Sequence, residues 1–320
     1  ILMAQKFGAG EYRKLRQVIT NSIVLAALCA VSLTLISEGV VGAVVSLLRT
    51  PQEIRPISMA YLRILFAGLP VVMVYNLAAA ILRALGNGRQ PLIAMVIASL
   101  TNIVLDFLFV MGFGWGVQGA AIATLIAQCL SAAYCIWHIC RIEVLQLERG
   151  DWKLEGALCG RLMTFGLPMA FQNTVISVGG MIVQTIVNGF GVTFIAGVTA
   201  TNKLYGILEV AATSYGYAMT TYSGQNLGAG KIRRIRRGMR VGTGIAVLTS
   251  VLIMAAMLCF GRWILAWFLP ADAGQSMEAR DIAYRYLAIM AVFLPVLYIL
   301  HVSRSCIQGL GNTVLPMVSG

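Results

Sequence analysis

Charged side chains are scarce in this sequence. Asp, Glu, Lys and Arg make up only 11% of the 320 residues, and hydrophobic residues make up 59%. Soluble domains carry about 25% charged residues, so the composition excludes a soluble globular protein and intrinsic disorder. The seven cysteines lie mostly inside apolar runs without paired spacing, which excludes a disulfide-stapled secreted module. A polytopic membrane protein is the class that remains.

Acidic residues are scarcer than basic ones, 12 against 24, which gives a net charge of +12. A basic balance also occurs in nucleic-acid-binding proteins, but here the basic residues fall in short segments between apolar runs, where they set topology. Segments 141–161 and 231–240 are rich in Lys and Arg, whereas 112–117 and 188–193 have none. We therefore expect the basic segments at the cytoplasmic face of the membrane. The lipid bilayer is the expected partner, with no nucleic acid and no obligate protein partner.

Long apolar runs indicate the fold class. Runs of about 20 apolar residues are typical of membrane-spanning helices, whereas barrel strands alternate in polarity over about ten residues. The sequence thus predicts an all-α polytopic membrane protein. Eight spans are predicted, and a ninth would start near Pro316. They cover residues 17–48, 57–83, 90–112, 117–140, 162–188, 194–223, 241–269 and 282–306.

The two halves of the chain share an internal repeat. Gln5–Arg16 recurs as Gln225–Arg236 at an offset of 220, with Gln, Gly-Ala-Gly and two Arg identical. Further matches at an offset of 225 pair the Leu-Gly-Asn turns and one proline in each half. They are Leu85-Gly86-Asn87 with Leu310-Gly311-Asn312, and Pro70 with Pro295.

Six predicted spans separate the two Gly-Ala-Gly segments, so both segments face the same side of the membrane. The halves are therefore parallel repeats, related by a pseudo-twofold axis along the membrane normal, as in two-lobed transporters. We expect an N-terminal lobe at 1–140, a cytoplasmic linker at 141–161 and a C-terminal lobe at 162–320. Each half would have six spans in an intact protein, so the first two and last two helices would be missing here.

Several motifs together resemble those of one transporter family. They are Ala4-Gln5 with Gly8-Ala9-Gly10, Gly224-Gln225-Asn226 with Gly228-Ala229-Gly230, Thr50-Pro51-Gln52-Glu53-Ile54, Tyr61-Leu62-Arg63-Ile64, Leu85-Gly86-Asn87, Asn102 with Asp106, and Gly119-Ala120-Ala121-Ile122-Ala123-Thr124. The chain resembles the MATE (multidrug and toxic compound extrusion) transporters over its whole length. The resemblance implies a cation-coupled antiporter that exports amphipathic, often cationic, compounds by alternating access.

Asp106 is the first candidate site residue, because it lies inside the span 90–112, where an ionised side chain is costly. Asn102 precedes it by one helical turn on the same face, and Thr124 lies on the next span. Their oxygens could bind Na⁺, or Asp106 alone could bind a proton. In the family resemblance these residues match the cation site of the N-terminal lobe, whose other carboxylate lies on a helix absent here. The alternative is a hydrogen-bonded Asp–Asn pair that only joins helices.

Four residues are predicted to line a substrate cavity in the C-terminal lobe. Glu209, with Tyr205 one turn before it, could carry a proton or contact a cationic substrate, although Lys203 could instead be its structural partner. Gln172 and Asn173 lie at cavity depth, but amides also join membrane helices to one another.

Pro70 and Pro295 are predicted to kink equivalent helices, either shaping the cavity or forming simple packing bends. The Gly-Ala-Gly segments are expected to be tight helix ends rather than phosphate loops, since no strand precedes them.

The sequence predicts neither an enzyme nor a cofactor. His138 and His301 have no ligand-spaced partners, so no metal site is expected beyond a coupling Na⁺ at Asp106. Two other functions remain open. One is a lipid-linked oligosaccharide flippase of the same superfamily, and the other is a channel or scaffold without a transport cycle.

Overall fold

The computed structural model describes residues 1–47, 52–269 and 275–319, and the fold within these ranges is helical throughout. Eleven α-helices are present in this part of the chain. They are α1 (Leu2–Gly8), α2 (Tyr12–Leu47), α3 (Arg55–Ala67), α4 (Leu69–Ala84), α5 (Arg89–Asp106), α6 (Gly116–Cys140), α7 (Gly156–Asn188), α8 (Val192–Gly228), α9 (Ile232–Phe268), α10 (Gln275–Gly309) and α11 (Val314–Ser319). The predicted all-α membrane class is confirmed. Thr50 and Pro51 of the family motif lie outside the described residues.

Among the described residues, six helices are long and apolar enough to cross a membrane, and the bent pair α3–α4 forms a seventh candidate. The remaining predicted span, 194–223, lies in α8. This helix has 37 residues, ample for a bilayer, but it does not reach the apolarity of the others. Thr, Ser, Asn, Tyr and Gly recur along its length and interrupt its apolar residues. Pro316, the predicted start of a further span, lies in α11.

The contacts divide the chain into two units, which we call the N-terminal unit (Gly10–Leu162) and the C-terminal unit (Ile1–Ala9 with Met163–Gly320). The repeat had placed residues 1–9 in the N-terminal lobe, yet their contacts group them with the C-terminal unit. The reason is that α1 packs along the end of α8. The linker residues up to Leu162 group with the N-terminal unit.

Each unit has its own core. In the C-terminal unit, α8, α9 and α10 enclose Leu287, Leu294 and Tyr298, all fully buried, and the Tyr298 hydroxyl donates to the Leu208 carbonyl at 3.0 Å. The smaller N-terminal core contains Leu82 and Ala94. Small residues allow membrane helices to approach closely. The resulting van der Waals contacts stabilise the packing, because the hydrophobic effect does not hold helices together inside a bilayer.

The two Leu-Gly-Asn turns have the same backbone structure. Gly86 and Gly311 adopt φ values of +86° and +91°, a left-handed conformation that favours glycine. Each following Asn donates its N–H back into the preceding helix, as expected of a Schellman turn. These bonds run from Asn87 to Leu82 (3.0 Å) and from Asn312 to Ile307 (3.2 Å). The repeat at an offset of 225 is therefore a repeat of structure as well as of sequence.

The two Gly-Ala-Gly segments contact each other where α1 crosses the end of α8. A β-carbon on Gly8 would overlap the carbonyl oxygen of Gln225, and a β-carbon on Gly228 would overlap the carbonyl oxygen of Gln5. One turn earlier, a β-carbon on Gly224 would come within 3.0 Å of the one on Ala4. Both helices thus cross through a small-xxx-small pattern, Ala4 with Gly8 and Gly224 with Gly228. The segments are tight helix ends, as predicted, and Gly10 and Gly230 follow with φ near +70°.

The linker is held to the start of α2 by a buried ion pair. Asp151 is 2% exposed, and it accepts a hydrogen bond from Arg16 Nε at 2.7 Å. Thr20 and Asn21 also donate to linker carbonyl oxygens. Burial alone would raise the pKa of the Asp151 carboxyl, but the N–H of Glu148 and the Arg16 guanidinium outweigh burial and hold the pKa below its ordinary value. The pair therefore stabilises the folded state.

Asp151→Asn should lower the free energy of unfolding by about 3 kcal/mol, because the half-buried Arg16 loses its buried counter-ion. Thermal unfolding in detergent measures this change. Glu148→Gln is the matched control, since Glu148 lies 3.5 Å from the same arginine but its side chain is 75% exposed; it should change stability by less than about 0.5 kcal/mol. The pKa of Asp151 is lowered on folding, so its contribution is present above about pH 4 and lost as pH falls through the folded pKa. Equal losses in both variants would contradict the role assigned to Asp151.

Candidate functional site

Asp106 is the last residue of α5, where the helix changes type. Residues Phe107–Gly112 form a π-helix, and the N–H of Phe113 bonds to the carbonyl of Leu108 at 2.9 Å. Such π-turns occur often at functional sites. The Asp106 oxygen Oδ1 is buried and has no hydrogen-bond partner among the described residues. An unsatisfied carboxylate oxygen inside a span therefore marks the point where α5 becomes irregular.

Asn102 and Thr124 are brought together across the α5–α6 interface. Asn102 Nδ2 lies 3.4 Å from Thr124 Oγ1, and the threonine hydroxyl donates to the Ala120 carbonyl at 2.9 Å. Asp106 makes no such bond to either residue; it lies one turn beyond Asn102 on α5. The purely structural role considered from sequence required a hydrogen bond between Asp106 and Asn102. The bond that forms instead joins Asn102 to Thr124.

The chemistry of these three side chains suits a small cation. Asn102 uses its amide nitrogen toward Thr124, so its amide oxygen points away from that contact, while Asp106 contributes a carboxylate oxygen without a partner. Carboxylate, amide and hydroxyl oxygens are the ligands that hard cations prefer. A proton could bind at Asp106 alone. Coupling through these residues stays a prediction.

Gln128 on α6 was missed by sequence reasoning. Its Oε1 is buried without a hydrogen-bond partner in the described part of the chain. Its position one turn after Thr124 could have indicated that it shares the face toward α5. The bond from Ser131 to the Ala94 carbonyl sets the antiparallel register of α5 and α6. In that register Gln128 lies level with residue 97, about 13 Å along the helix axis from Asp106, so the two belong to different sites.

In the C-terminal unit, Glu209 on α8 faces His301 on α10, with Glu209 Oε1 4.0 Å from His301 Nε2. Lys203, the structural partner considered from sequence, is exposed and makes no ion pair within the described ranges. Lys203 lies six residues before Glu209, a spacing that places the two side chains on different faces of α8. Tyr205 lies four residues before Glu209 and shares its face. The sequence could not indicate His301, because it lies on a helix 92 residues away.

Gln172 and Asn173 have different surroundings. Gln172 is 4% exposed and donates from Nε2 to the Pro316 carbonyl at 2.5 Å, joining α7 to α11. Asn173 is exposed. Gln172 therefore joins two helices of its own unit, the second of the two roles considered for it, and a cavity-lining role stays open for Asn173.

Pro70 and Pro295 have different structural effects despite their equivalent positions. The axes of α3 and α4 meet at 41° just before Pro70, at Gly68, where a β-carbon would overlap the side chain of Leu125. Pro70 also lines an apolar cavity of about 440 Å³ between α2, α4 and α6. Pro295 lies inside the continuous helix α10. Within the described residues, no three His, Cys, Asp or Glu side chains group as metal ligands.

Comparisons with known proteins identify the family of the chain. The family model described as MatE matches residues 1–108 and 168–319. The chain is 27% identical over 320 residues to the probable multidrug resistance protein YpnP of Bacillus subtilis, covering 99% of this chain and 70% of the relative. It is 25% identical to the probable multidrug resistance protein NorM of Thermotoga maritima, covering 99% of this chain and 68% of the relative.

A solved structure shows the same fold. A transporter of the MOP superfamily from Pyrococcus furiosus superposes with a TM-score of 0.93 at 20% identity, covering 99% of this chain and 70% of that one. The family match spans both repeats, and the helices that carry Asp106 and the Gly-Ala-Gly crossing lie within it. The chain is a multi-pass membrane protein that belongs to the MatE family of multidrug and toxic compound extrusion transporters.

Proposed function

We propose that the protein is a cation-coupled antiporter that exports amphipathic, often cationic, compounds by alternating access. The observation that carries this proposal is Asp106, a carboxylate inside a span whose Oδ1 is buried and has no hydrogen-bond partner in the described part of the chain. A structural carboxylate would have its oxygens satisfied, since buried polar groups in folded proteins nearly always are. An ion-binding carboxylate needs a free oxygen when the ion is absent.

The coupling ion is Na⁺ or H⁺. Na⁺ would bind Asp106 together with the Asn102 amide oxygen and the Thr124 hydroxyl, whereas H⁺ needs only Asp106. In either case the ion drives export through its different affinity for the two conformations of the transporter. It would favour the conformation that has released substrate.

The substrate class follows from family relationship and composition. The relatives YpnP and NorM are named as multidrug resistance proteins, and aromatic side chains suit loosely selective binding of organic cations. Glu209 with Tyr205 supplies one negative and one aromatic contact for such compounds. The Lys- and Arg-rich segments favour a bacterial inner membrane, with 141–161 and 231–240 at the cytoplasmic face.

The test is uphill efflux of ethidium from proteoliposomes that contain the full-length protein, with Na⁺ and H⁺ gradients imposed separately. We expect efflux against the ethidium gradient under one or both ions, and none when both gradients are collapsed. Efflux that only equilibrates ethidium would favour a channel, and no movement at all would favour the flippase or a scaffold; either result overturns the proposal.

A further inference from the structure

Arg304 on α10 is a cation that has no counter-ion among the described residues. Its Nε is buried and has no hydrogen-bond acceptor among the described residues, and the side chain as a whole is only partly exposed. No ion pair forms between Arg304 and any acidic side chain in this part of the chain. A guanidinium in a membrane helix normally pairs with an acid or a carbonyl, because leaving it unpaired costs several kcal/mol.

The nearest charged groups do not supply that counter-ion. His301 lies three residues before Arg304, so the two side chains share one face of α10. Glu209 approaches this face from α8, but its carboxylate lies against His301, 4.0 Å from Nε2. Glu209 thus makes its contact with the histidine, and no acidic side chain among the described residues pairs with Arg304.

The repeat shows that the fold does not require this cation. At the offset of 225, the first-repeat equivalents of His301 and Arg304 are Asn76 and Ala79. Ala79 is fully buried on α4, so the equivalent helix packs without any charge at that position. The His301–Arg304 pair is a feature of the second repeat alone.

We propose that Arg304 and His301 form a binding site for the phosphate or carboxylate group of a transported molecule. Arginine binds such groups with two parallel hydrogen bonds, a geometry that lysine does not reproduce. Glu209 then holds His301 beside the arginine and contacts any positive group on the same molecule. Substrates would include acidic and zwitterionic amphipathic compounds, which extends the proposed function beyond organic cations and depends on it for transport.

Flavin mononucleotide and riboflavin form a matched pair of probes, because they share a fluorescent aromatic ring and differ only by one phosphate. Their affinities for the full chain in phosphatidylcholine nanodiscs can be measured by fluorescence quenching. We expect flavin mononucleotide to bind at least about tenfold more tightly than riboflavin, and Arg304→Gln to remove this preference without changing riboflavin affinity. Unchanged riboflavin affinity shows that the variant is folded.

Two further variants sharpen the test. Arg304→Lys should retain only part of the phosphate preference, since it keeps the charge and loses the two-pronged geometry. Arg285→Gln is the control, because Arg285 is exposed on the same helix, and it should keep the full preference. The proposal is overturned if Arg304→Gln keeps the preference, if Arg285→Gln loses it equally, or if neither flavin binds the wild type at millimolar concentration.

A lipid headgroup could also supply a phosphate, so the measurement is repeated in phosphatidylglycerol nanodiscs. Persistence of the preference supports a substrate site, whereas its loss would assign Arg304 to lipid and overturn the proposal. Ethidium efflux separates this proposal from the one above. Gradient-driven efflux without a phosphate preference would support the antiporter and contradict the anion site. A phosphate preference without efflux would support the anion site and contradict the antiporter.

Discussion

Asp106→Asn should reduce gradient-driven ethidium efflux to the level of protein-free vesicles. Asparagine has nearly the same shape, so packing around the π-helix that follows should be kept, but the amide can neither bind a proton nor supply the charge that holds Na⁺. Without the carboxylate, the ion no longer binds one conformation of the transporter more tightly than the other. The coupling free energy between ion and substrate then vanishes. Uphill efflux in proteoliposomes measures the effect directly.

Two comparisons separate coupling from structure. Ethidium binding should change less than about threefold in Asp106→Asn, because the substrate site is predicted elsewhere. Asp281→Asn serves as the control, since Asp281 is 64% exposed and lies 3.6 Å from Arg262, which is also exposed; its efflux should equal that of the wild type. Efflux at the wild-type rate in Asp106→Asn would contradict the coupling role and point instead to Glu209.

Thr124→Ala should distinguish the two ions. Removing its hydroxyl takes away one oxygen ligand and frees Asn102, so a Na⁺-driven exporter would need a higher Na⁺ concentration for half-maximal efflux. An H⁺-driven exporter would be nearly unaffected, because Asp106 alone would carry the proton.

Gly228→Ala should greatly reduce the amount of folded protein. The added methyl group would overlap the carbonyl oxygen of Gln5, and backbone atoms cannot move aside as a flexible side chain can. Separation of α1 from α8 would also lengthen the 3.0 Å bond from Gln5 Nε2 to the Gly309 carbonyl. We expect a loss of about 3 kcal/mol or more, the range of severe overpacking, seen as loss of the monodisperse peak in size-exclusion chromatography.

Gly206→Ala on the same helix is the matched control. A β-carbon there meets nothing within 4 Å, and alanine favours the helix by about 1 kcal/mol over glycine. This variant should be as abundant as the wild type. A normal monodisperse peak for Gly228→Ala would show that the crossing of α1 and α8 is looser than described.

Local chemistry made much of the fold predictable. Apolar runs located the helices, and the Leu-Gly-Asn turns followed from glycine's access to positive φ and from the ability of Asn to end one helix and begin the next. The four-residue spacing of Asn102 and Asp106 predicted a shared helix face for the candidate coupling site, and Thr124 was predicted to contribute from the next span. These features depend on near neighbours in the chain.

Features that depend on distant contacts could not be predicted. The partner of Glu209 is His301, on another helix, and nothing in either segment indicates the other. The π-helix after Asp106 has the apolar composition of an ordinary membrane α-helix, so the sequence does not predict its hydrogen-bond pattern. Gln172 could have faced a cavity or a helix, and only its contact with the Pro316 carbonyl shows which.

The crossing of Gly8 and Gly228 also explains why the two repeats still have similar sequences at that point. Each glycine packs against the glutamine of the other copy, so the contact is isologous, like the interface of a twofold dimer. A larger residue in either copy would clash with the other. Two halves fused in one chain thus obey, at this crossing, the constraint of two identical subunits.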